Sequence, residues 1–93
     1  MIEIEDILSS RGMVKILKIL SKYEEMNITQ ISKKAMLDYR TTFLHLKKLV
    51  KAGIIEEKKY DKIRIFKINK KNRIALKIIE LIKTWEMEKI FLK

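Results

Sequence analysis

The segment from Asp38 to Gly53 (DYRTTFLHLKKLVKAG) constrains the fold most strongly, because both ends of a helix are marked within it. Asp38 can accept a hydrogen bond from a backbone N–H at the helix start, and Gly53 can adopt the left-handed conformation that ends a helix. Helical spacing predicts a buried face that consists of Thr42, Leu46, Leu49 and Val50. The other side, predicted to face outward, consists of Tyr39, Arg40, Thr41, Phe43, Leu44, Lys47, Lys48 and Lys51. A short capped helix with a basic outer side fits the major groove of duplex DNA, so we interpret it as a recognition helix.

The charge of the chain favours an anionic partner. Its 93 residues suffice for one compact domain with a modest core, and its formal net charge is +10 at pH 7. Nucleic acid is the first expectation and a membrane surface the second, and the alternative to both is a merely well-solvated surface. Abundant Lys, Ile and Glu fit a thermophilic host, although an A+T-rich genome would produce the same bias.

Several classes of function are disfavoured by residues that the chain lacks. It contains no Cys and a single His, His45, which is expected to be packed, so neither a disulfide framework nor a metal site is expected. Catalytic motifs and a Gly-rich phosphate loop are also absent, so we expect neither an enzyme nor a cofactor. No run of about 18 apolar residues occurs, and the acidic segment 1–10 is unlike a signal peptide. The expected location is the cytoplasm.

Two helices are predicted before the recognition helix, after a short helical lead-in at residues 2–8. Ser10 is expected to cap the first helix, Arg11 to Tyr23, and Thr29 the second, Gln30 to Ala35. The apolar residues at helical spacing in the first helix are Met13, Ile16, Leu17, Leu20 and Tyr23. Residues 36–38 leave room only for the tight corner of a helix–turn–helix.

After Gly53 the spacing predicts a β-hairpin, with strands Ile54–Lys59 and Lys62–Ile68 and a tip at Tyr60 and Asp61. Its exposed positions carry basic side chains, namely Lys58, Lys59, Lys62, Arg64 and Lys67. A basic hairpin that directly follows a recognition helix is typical of the wing of a winged helix.

A long final helix is predicted from Arg73 to about Phe91. One broad apolar stripe along it consists of Ile74, Ala75, Ile78, Leu81, Ile82 and Trp85, and a weaker one of Leu76, Ile79, Met87 and Ile90. A helix that is apolar on two sides needs two partners, which we interpret as its own domain and a second copy of the chain. The residues assigned to dimerisation are Ile74, Ile78, Leu81, Ile82 and Trp85. Residues 1–70 then form the DNA-binding domain with its lead-in, and residues 71–93 the dimerisation helix.

The order of elements and three segments resemble the winged helix–turn–helix transcription regulators, in particular the arsenic-repressor-like (ArsR) group and its small archaeal relatives. The segments are LSSRGMVKILKIL, NITQISKKAMLDYRTTFLHLKKLVKAGII and EEKKYDKIRIFKI, of which HLKKLVKAGII is the most specific piece. The resemblance implies a mostly α fold with a small β-hairpin, a long C-terminal dimerisation helix and a duplex DNA partner. Metal-sensing members of the group use clustered Cys or His ligands, which this chain lacks, so metal sensing is not carried over.

The residues expected to contact DNA are Tyr39, Arg40, Thr41, Phe43, Leu44, Lys47, Lys48, Lys33, Lys34, Lys59, Lys62 and Arg64. Arg40 is the residue most suited to a base edge, since Arg is the commonest partner of guanine, and the lysines suit phosphates. Phe43 and Leu44 could contact thymine methyls, or equally pack against the N-terminal segment or a partner subunit.

Three hypotheses follow from these observations. The first is a homodimeric transcription regulator that reads DNA sequence. The second is an architectural chromatin protein with little sequence preference, which the excess of lysine over arginine suits. The third is a protein-interaction module that docks through Phe43 and Leu44.

Overall fold

The structure, a computed structural model, describes residues 2–91 and confirms a mostly helical winged helix–turn–helix with a small antiparallel sheet. In chain order its elements are α1 (Ile4–Leu8), α2 (Arg11–Tyr23), β1 (Met26–Asn27), α3 (Ile28–Ala35), α4 (Tyr39–Lys51), β2 (Ile55–Tyr60), β3 (Ile63–Ile68) and α5 (Arg73–Phe91). Residues 1, 92 and 93, at the outer ends of the two predicted domains, lie outside the described residues. The division of the chain at residue 70 stays a prediction.

Both predicted ends of α4 are present. The Asp38 carboxylate accepts a hydrogen bond from the Thr41 backbone N–H at 2.7 Å, as an N-cap does. At the other end, Gly53 has φ +79°, and the N–H groups of Gly53 and Ile54 donate to the carbonyls of Val50 and Leu49. This pair of bonds satisfies the last carbonyls of the helix and requires the left-handed conformation that glycine adopts without strain.

The predicted cap of α3 is wrong. The helix begins at Ile28 rather than at Gln30, and its N-cap is Asn27 rather than Thr29. Asn27 Oδ1 accepts from the Gln30 N–H at 2.9 Å, while Gln30 Oε1 accepts from the Asn27 N–H at 3.0 Å. This reciprocal pair satisfies two backbone donors, whereas a cap at Thr29 would satisfy one, so the helix starts two residues earlier. Helix α2, by contrast, has the predicted bounds and the predicted Ser10 cap.

The corner between α3 and α4 turns without a glycine. Met36 takes the left-handed conformation (φ 56°, ψ 43°) at the end of α3. Its N–H donates to the Lys33 carbonyl at 3.3 Å, and the Leu37 N–H donates to the Ser32 carbonyl at 3.0 Å. The corner is therefore held by backbone hydrogen bonds that outweigh the steric cost of a side chain at positive φ.

The sheet has the order β1-β3-β2 and is antiparallel throughout. Strand β1, which pairs Met26 with Phe66, was missed by sequence reasoning because two residues show no period. The hairpin tip lies at Asp61 and Lys62, one residue later than predicted, since Tyr60 pairs with Ile63. Asp61 supplies the left-handed residue of this tip (φ 58°), a conformation that Asp tolerates.

The core lies between α2, α3, α4, the sheet and the start of α5. Its most buried apolar side chains are Ile16, Leu17, Leu20, Ile31, Leu46, Leu49, Ile55 and Ala75. Tyr23 departs from the prediction: it is 44% exposed, since it ends α2 at the edge of the core. The lead-in is a short helix, and Ile7 joins it to the core.

The start of α5 is tied to the end of α4. Asn72 Nδ2 donates to the Gly53 carbonyl at 3.1 Å, and Asn72 Oδ1 accepts from the Ala75 N–H at 3.0 Å. Asn69 Nδ2 donates to the same Gly53 carbonyl at 3.0 Å. These bonds fix the direction in which the long helix leaves the winged domain. No helix within residues 2–91 meets the length and hydropathy of a membrane span.

Candidate nucleic-acid interface

The two faces of α4 differ sharply in burial. Thr42, Leu46 and Leu49 are at most 1% exposed, as predicted, and Val50 is half-buried. The exposed residues of the helix are Tyr39, Arg40, Leu44, Lys47, Lys48 and Lys51. At 3.6 residues per turn, all of these except Tyr39 lie on the side opposite the core. We call Arg40, Leu44, Lys47, Lys48 and Lys51 the outer face of α4. It carries four cationic groups and no acidic residue.

The hydroxyl groups at the start of α4 are already engaged within the chain. Thr41 Oγ1 donates to Asp38 Oδ2 at 3.0 Å, and Thr42, which is fully buried, donates to the Asp38 carbonyl at 2.8 Å. The hydrogen bonds from Thr41 lower the pKa of Asp38, which keeps the carboxyl charged. An anion therefore already occupies the helix N-terminus, so a phosphate would be repelled there, and Thr41 is a poorer phosphate donor than its position suggests.

The wing is connected to α4 through one arginine. Arg64 donates from Nε to Glu57 Oε2 and from Nη2 to Glu57 Oε1, the second at 3.1 Å. Its guanidinium also lies 5.8 Å from the centre of the Phe43 ring, within the range of a cation–π contact. The hydrogen bond to Arg64 lowers the pKa of Glu57, and the pKa of Arg64 is raised in return. Arg64 thus holds the wing against the recognition helix.

The remaining basic residues of the wing divide between its base and its tip. At the base, Lys67 lies 3.4 Å from a Glu56 oxygen and 3.9 Å from a Glu25 oxygen, so its charge is largely neutralised. Towards the tip, Lys58, Lys59 and Lys62 are exposed. The positive charge of the hairpin is therefore concentrated at the end that lies farthest from the core.

The two lysines of α3 are both exposed, as predicted. Lys34 Nζ lies 4.3 Å from the centre of the Tyr23 ring, where Lys22 also approaches at 5.4 Å. In this arrangement Lys34 points toward the end of α2. Lys33 carries no such contact among the described residues.

His45 is packed between helices, as expected. A Cβ built on Gly12 would lie 2.6 Å from His45 Nε2, so the imidazole ring occupies the space that a side chain at residue 12 would need. Burial, and then the nearby Lys48, lower the pKa of His45, which favours the neutral imidazole. Among the described residues, no group of three or more His, Cys, Asp or Glu could hold a metal ion.

A second exposed surface is apolar. Trp85 is 64% exposed and Leu81 59%, and Ile74 lies on the same side of α5. Ile4 and Leu8 of α1 are exposed as well, and α1 and α5 together line an open groove of about 810 Å³ that includes Ile74 and Leu81. We call Ile4, Leu8, Ile74, Leu81 and Trp85 the α1/α5 face. Of the other residues assigned to dimerisation, Ile78 and Ile82 are half-buried and pack against the core of their own chain.

Sequence reasoning missed two contacts that decide which side chains are free. The Asp38–Thr41 pair withdraws a hydroxyl from the recognition helix, and the Arg64–Glu57 pair withdraws an arginine from the wing. The first was detectable, since an N-cap Asp followed three residues later by Thr places the two side chains together. The second depends on the strand register, which places Glu57 and Arg64 diagonally on one face of the hairpin.

The chain is similar to transcription regulators in sequence and in structure. Residues 10–57 match the sequence model of the bacterial regulatory protein arsR family, whereas no curated protein matches the chain. The antimony-specific transcriptional repressor AntR shares the fold with TM-score 0.76 and 14% identity, over 95% of this chain and 77% of that one. The transcriptional repressor PagR of Bacillus anthracis has TM-score 0.69 and 25% identity, over 82% and 84%. A homodimeric winged helix-turn-helix DNA-binding domain from Mycobacterium bovis, a possible ArsR-family transcriptional regulator, has TM-score 0.73 and 16% identity, over 95% and 79%.

Proposed function

The chain belongs to the arsR family of bacterial regulatory proteins, and on that premise we propose that it regulates transcription as a homodimer that binds specific duplex DNA sequences in the cytoplasm. Each recognition helix, α4, lies in a major groove of the two half-sites. By two-fold symmetry the half-sites are separated by about one helical turn of DNA, ~34 Å. The wings contact the sugar–phosphate backbone or the adjacent minor groove.

The observation that carries this proposal is the outer face of α4. Arg40, Lys47, Lys48 and Lys51 are exposed on a helix of 13 residues that has no acidic side chain and buries its other face. Such a helix is about 20 Å long, and a major groove about 12 Å wide admits it. Its cations repel one another, and the Asp38 carboxylate at the helix start compensates only part of their charge. Phosphates on both sides of a groove would compensate the rest.

The side chains have different roles in this complex. Arg40, in the first turn and exposed, contacts a base edge, whereas Lys47 and Lys48 contact phosphates. Tyr39 is 59% exposed and can donate its hydroxyl to a phosphate. On the wing, Lys59 and Lys62 are free to approach the backbone. Arg64 donates from Nε and Nη2 to Glu57, so part of its hydrogen-bonding capacity is already used before DNA binds.

The partner proposed for the α1/α5 face is a second copy of the chain. Ile4 and Leu8 lie beside Ile74 and Leu81 in one groove, so two helices present a continuous apolar surface. A patch of this kind on a domain of this size is typical of an interaction site. A two-fold axis would let the patch cover itself.

Selection of binding sites from random duplexes at physiological salt tests the proposal. We expect a two-fold symmetric consensus sequence. If about eight phosphates are neutralised per dimer, the logarithm of the affinity should fall with the logarithm of the salt concentration with a slope of roughly −7. Affinity that hardly responds to salt, or the absence of any DNA binding, would contradict the proposal.

The same experiment separates the first hypothesis from the architectural one. Lysines outnumber arginines among the 22 basic residues, and lysine acts mainly as a point charge towards phosphate. A chromatin protein would bind the selected and scrambled duplexes with affinities within about tenfold of each other. A larger ratio supports sequence-specific regulation.

A further inference from the structure

Leu44 occupies the middle of the outer face of α4. Its side chain is 44% exposed, whereas Leu46 and Leu49 on the opposite face are buried. Arg40 lies one turn before it and Lys47 and Lys48 one turn after it, so three of its four neighbours along the helix surface are cations. An apolar side chain therefore stands inside a cationic surface.

The neighbouring Phe43 is in a different situation. Its ring is half-buried, and the Arg64 guanidinium of the wing lies 5.8 Å from its centre. Successive residues of a helix differ by about 100° in direction, so Leu44 points away from that contact. Phe43 therefore contacts the wing, whereas Leu44 is available to contact the ligand of the outer face.

The chemistry of the major groove suits such an arrangement. Base edges there present hydrogen-bond donors and acceptors, and the C5 methyl of thymine is the apolar group among them. An apolar protein surface placed on Leu44 would desolvate the cations around it, which costs free energy unless each finds a partner. A duplex supplies phosphates for the cations and a methyl group for the leucine.

We propose that Leu44 determines specificity by contacting the C5 methyl of a thymine in each half-site, an inference that rests on the DNA-binding function proposed above. Leu44 lies four positions after Arg40, which is about 6 Å along the helix axis. Base pairs are stacked about 3.4 Å apart. The thymine therefore lies about two base pairs from the base that Arg40 contacts.

Deoxyuridine substitution tests this inference on the selected binding site. Uracil pairs like thymine and lacks only the C5 methyl, so each thymine of one half-site is replaced in turn and the Kd is measured. For the unmodified protein we expect one position at which affinity falls about fourfold, the effect of losing one buried methyl-sized contact. Replacement in both half-sites should multiply to about sixteenfold.

Two variants connect the effect to Leu44. L44A removes an exposed side chain, and it should bind the thymine and uracil duplexes equally. The matched control is L76A, because Leu76 on α5 is exposed to the same degree (45%) and lies outside the outer face of α4. It should retain the fourfold difference.

The outcomes separate this inference from the function on which it rests. A selected site at which no uracil weakens binding, or an L44A variant that still discriminates fourfold, would overturn the role of Leu44 while leaving sequence-specific binding intact. A protein that selects no sequence would overturn both.

Discussion

The outer face of α4 and the α1/α5 face are built in the same way and differ in composition. Helices α4 and α5 both bury one side against the same core, α4 through Leu46 and Leu49 and α5 through Ala75 and Ile79. The outward side of α4 carries four cations around one leucine, whereas the outward side of α5 carries Ile74, Leu81 and Trp85. The buried residues of each helix fix its position against the core, and its exposed residues determine what it can bind.

The difference extends to the helix N-termini. At α4 the cap is the Asp38 carboxylate, and at α5 the Asn72 amide accepts the N–H of Ala75. The helix with a cationic outer face thus begins with an anion, which compensates part of its charge, and the apolar one begins with a neutral group. Four substitutions test this contrast.

A charge introduced on the α1/α5 face should weaken the dimer, and this is the largest effect that we expect. In L81E a carboxylate would be buried twice in a symmetric dimer, and we expect the dimer dissociation constant to rise by roughly two to three orders of magnitude. Sedimentation of the wild-type and variant proteins at matched concentrations measures this. The control, L76E, changes the same residue type on the other side of α5 and should leave the dimer intact. An L81E protein that remains dimeric would contradict the proposal that the α1/α5 face forms the dimer interface.

Loss of Arg40 should affect sequence reading on α4. In R40A we expect affinity for the selected site to fall by about tenfold or more, with a smaller loss on scrambled duplexes, because a base contact is removed. In the control, K62A, a wing-tip cation is removed, so both duplexes should weaken alike and the salt slope should become shallower by about one. If R40A lowers the affinity for both duplexes equally, Arg40 contacts a phosphate rather than a base.

The anionic cap of α4 should make stability depend on pH, whereas the neutral cap of α5 should not. The pKa of Asp38 is lowered in the folded chain, so its contribution is complete above the unfolded value of about 3.8 and is lost as pH falls through the lowered value. D38N keeps one oxygen that can accept from the Thr41 N–H, and it removes the charge and the second acceptor oxygen. We expect a lower Tm for D38N than for wild type at pH 7, and a difference that shrinks below pH 4. A difference independent of pH would contradict this.

Release of Arg64 from Glu57 should change DNA affinity only slightly, and this is the smallest effect that we expect. In E57Q the guanidinium loses its carboxylate partner, so we expect DNA affinity to rise by about twofold to fivefold and the salt slope to steepen by about one. E56Q is a matched control, because Glu56 is the adjacent residue on the opposite face of β2 and pairs with Lys67. It removes the same charge without freeing Arg64. If the two variants behave alike, the Glu57–Arg64 pair does not restrain the wing.

Local patterns determined much of the fold. The caps Ser10 and Asp38, the terminator Gly53 and the bounds of α2 and α4 follow from residues that are adjacent in sequence, because a helix end is satisfied by its own first or last turn. The cap of α3 was misplaced, since Asn27 and Thr29 are both competent and only the reciprocal bond with Gln30 separates them. The basic character of the recognition helix was also evident from the sequence.

Periodicity and capping act over a few residues, so they were sufficient to predict the helices and the hairpin and which of their faces are apolar or basic. Which side chains of each face remain available for binding depended on contacts between elements. The tertiary structure placed Arg64 on Glu57 and Phe43 and placed Ile82 against the core, and it left Leu44 and Leu81 exposed. The reason is physical: a side chain becomes unavailable when a partner distant in sequence reaches it, and strand register and helix packing alone set that distance.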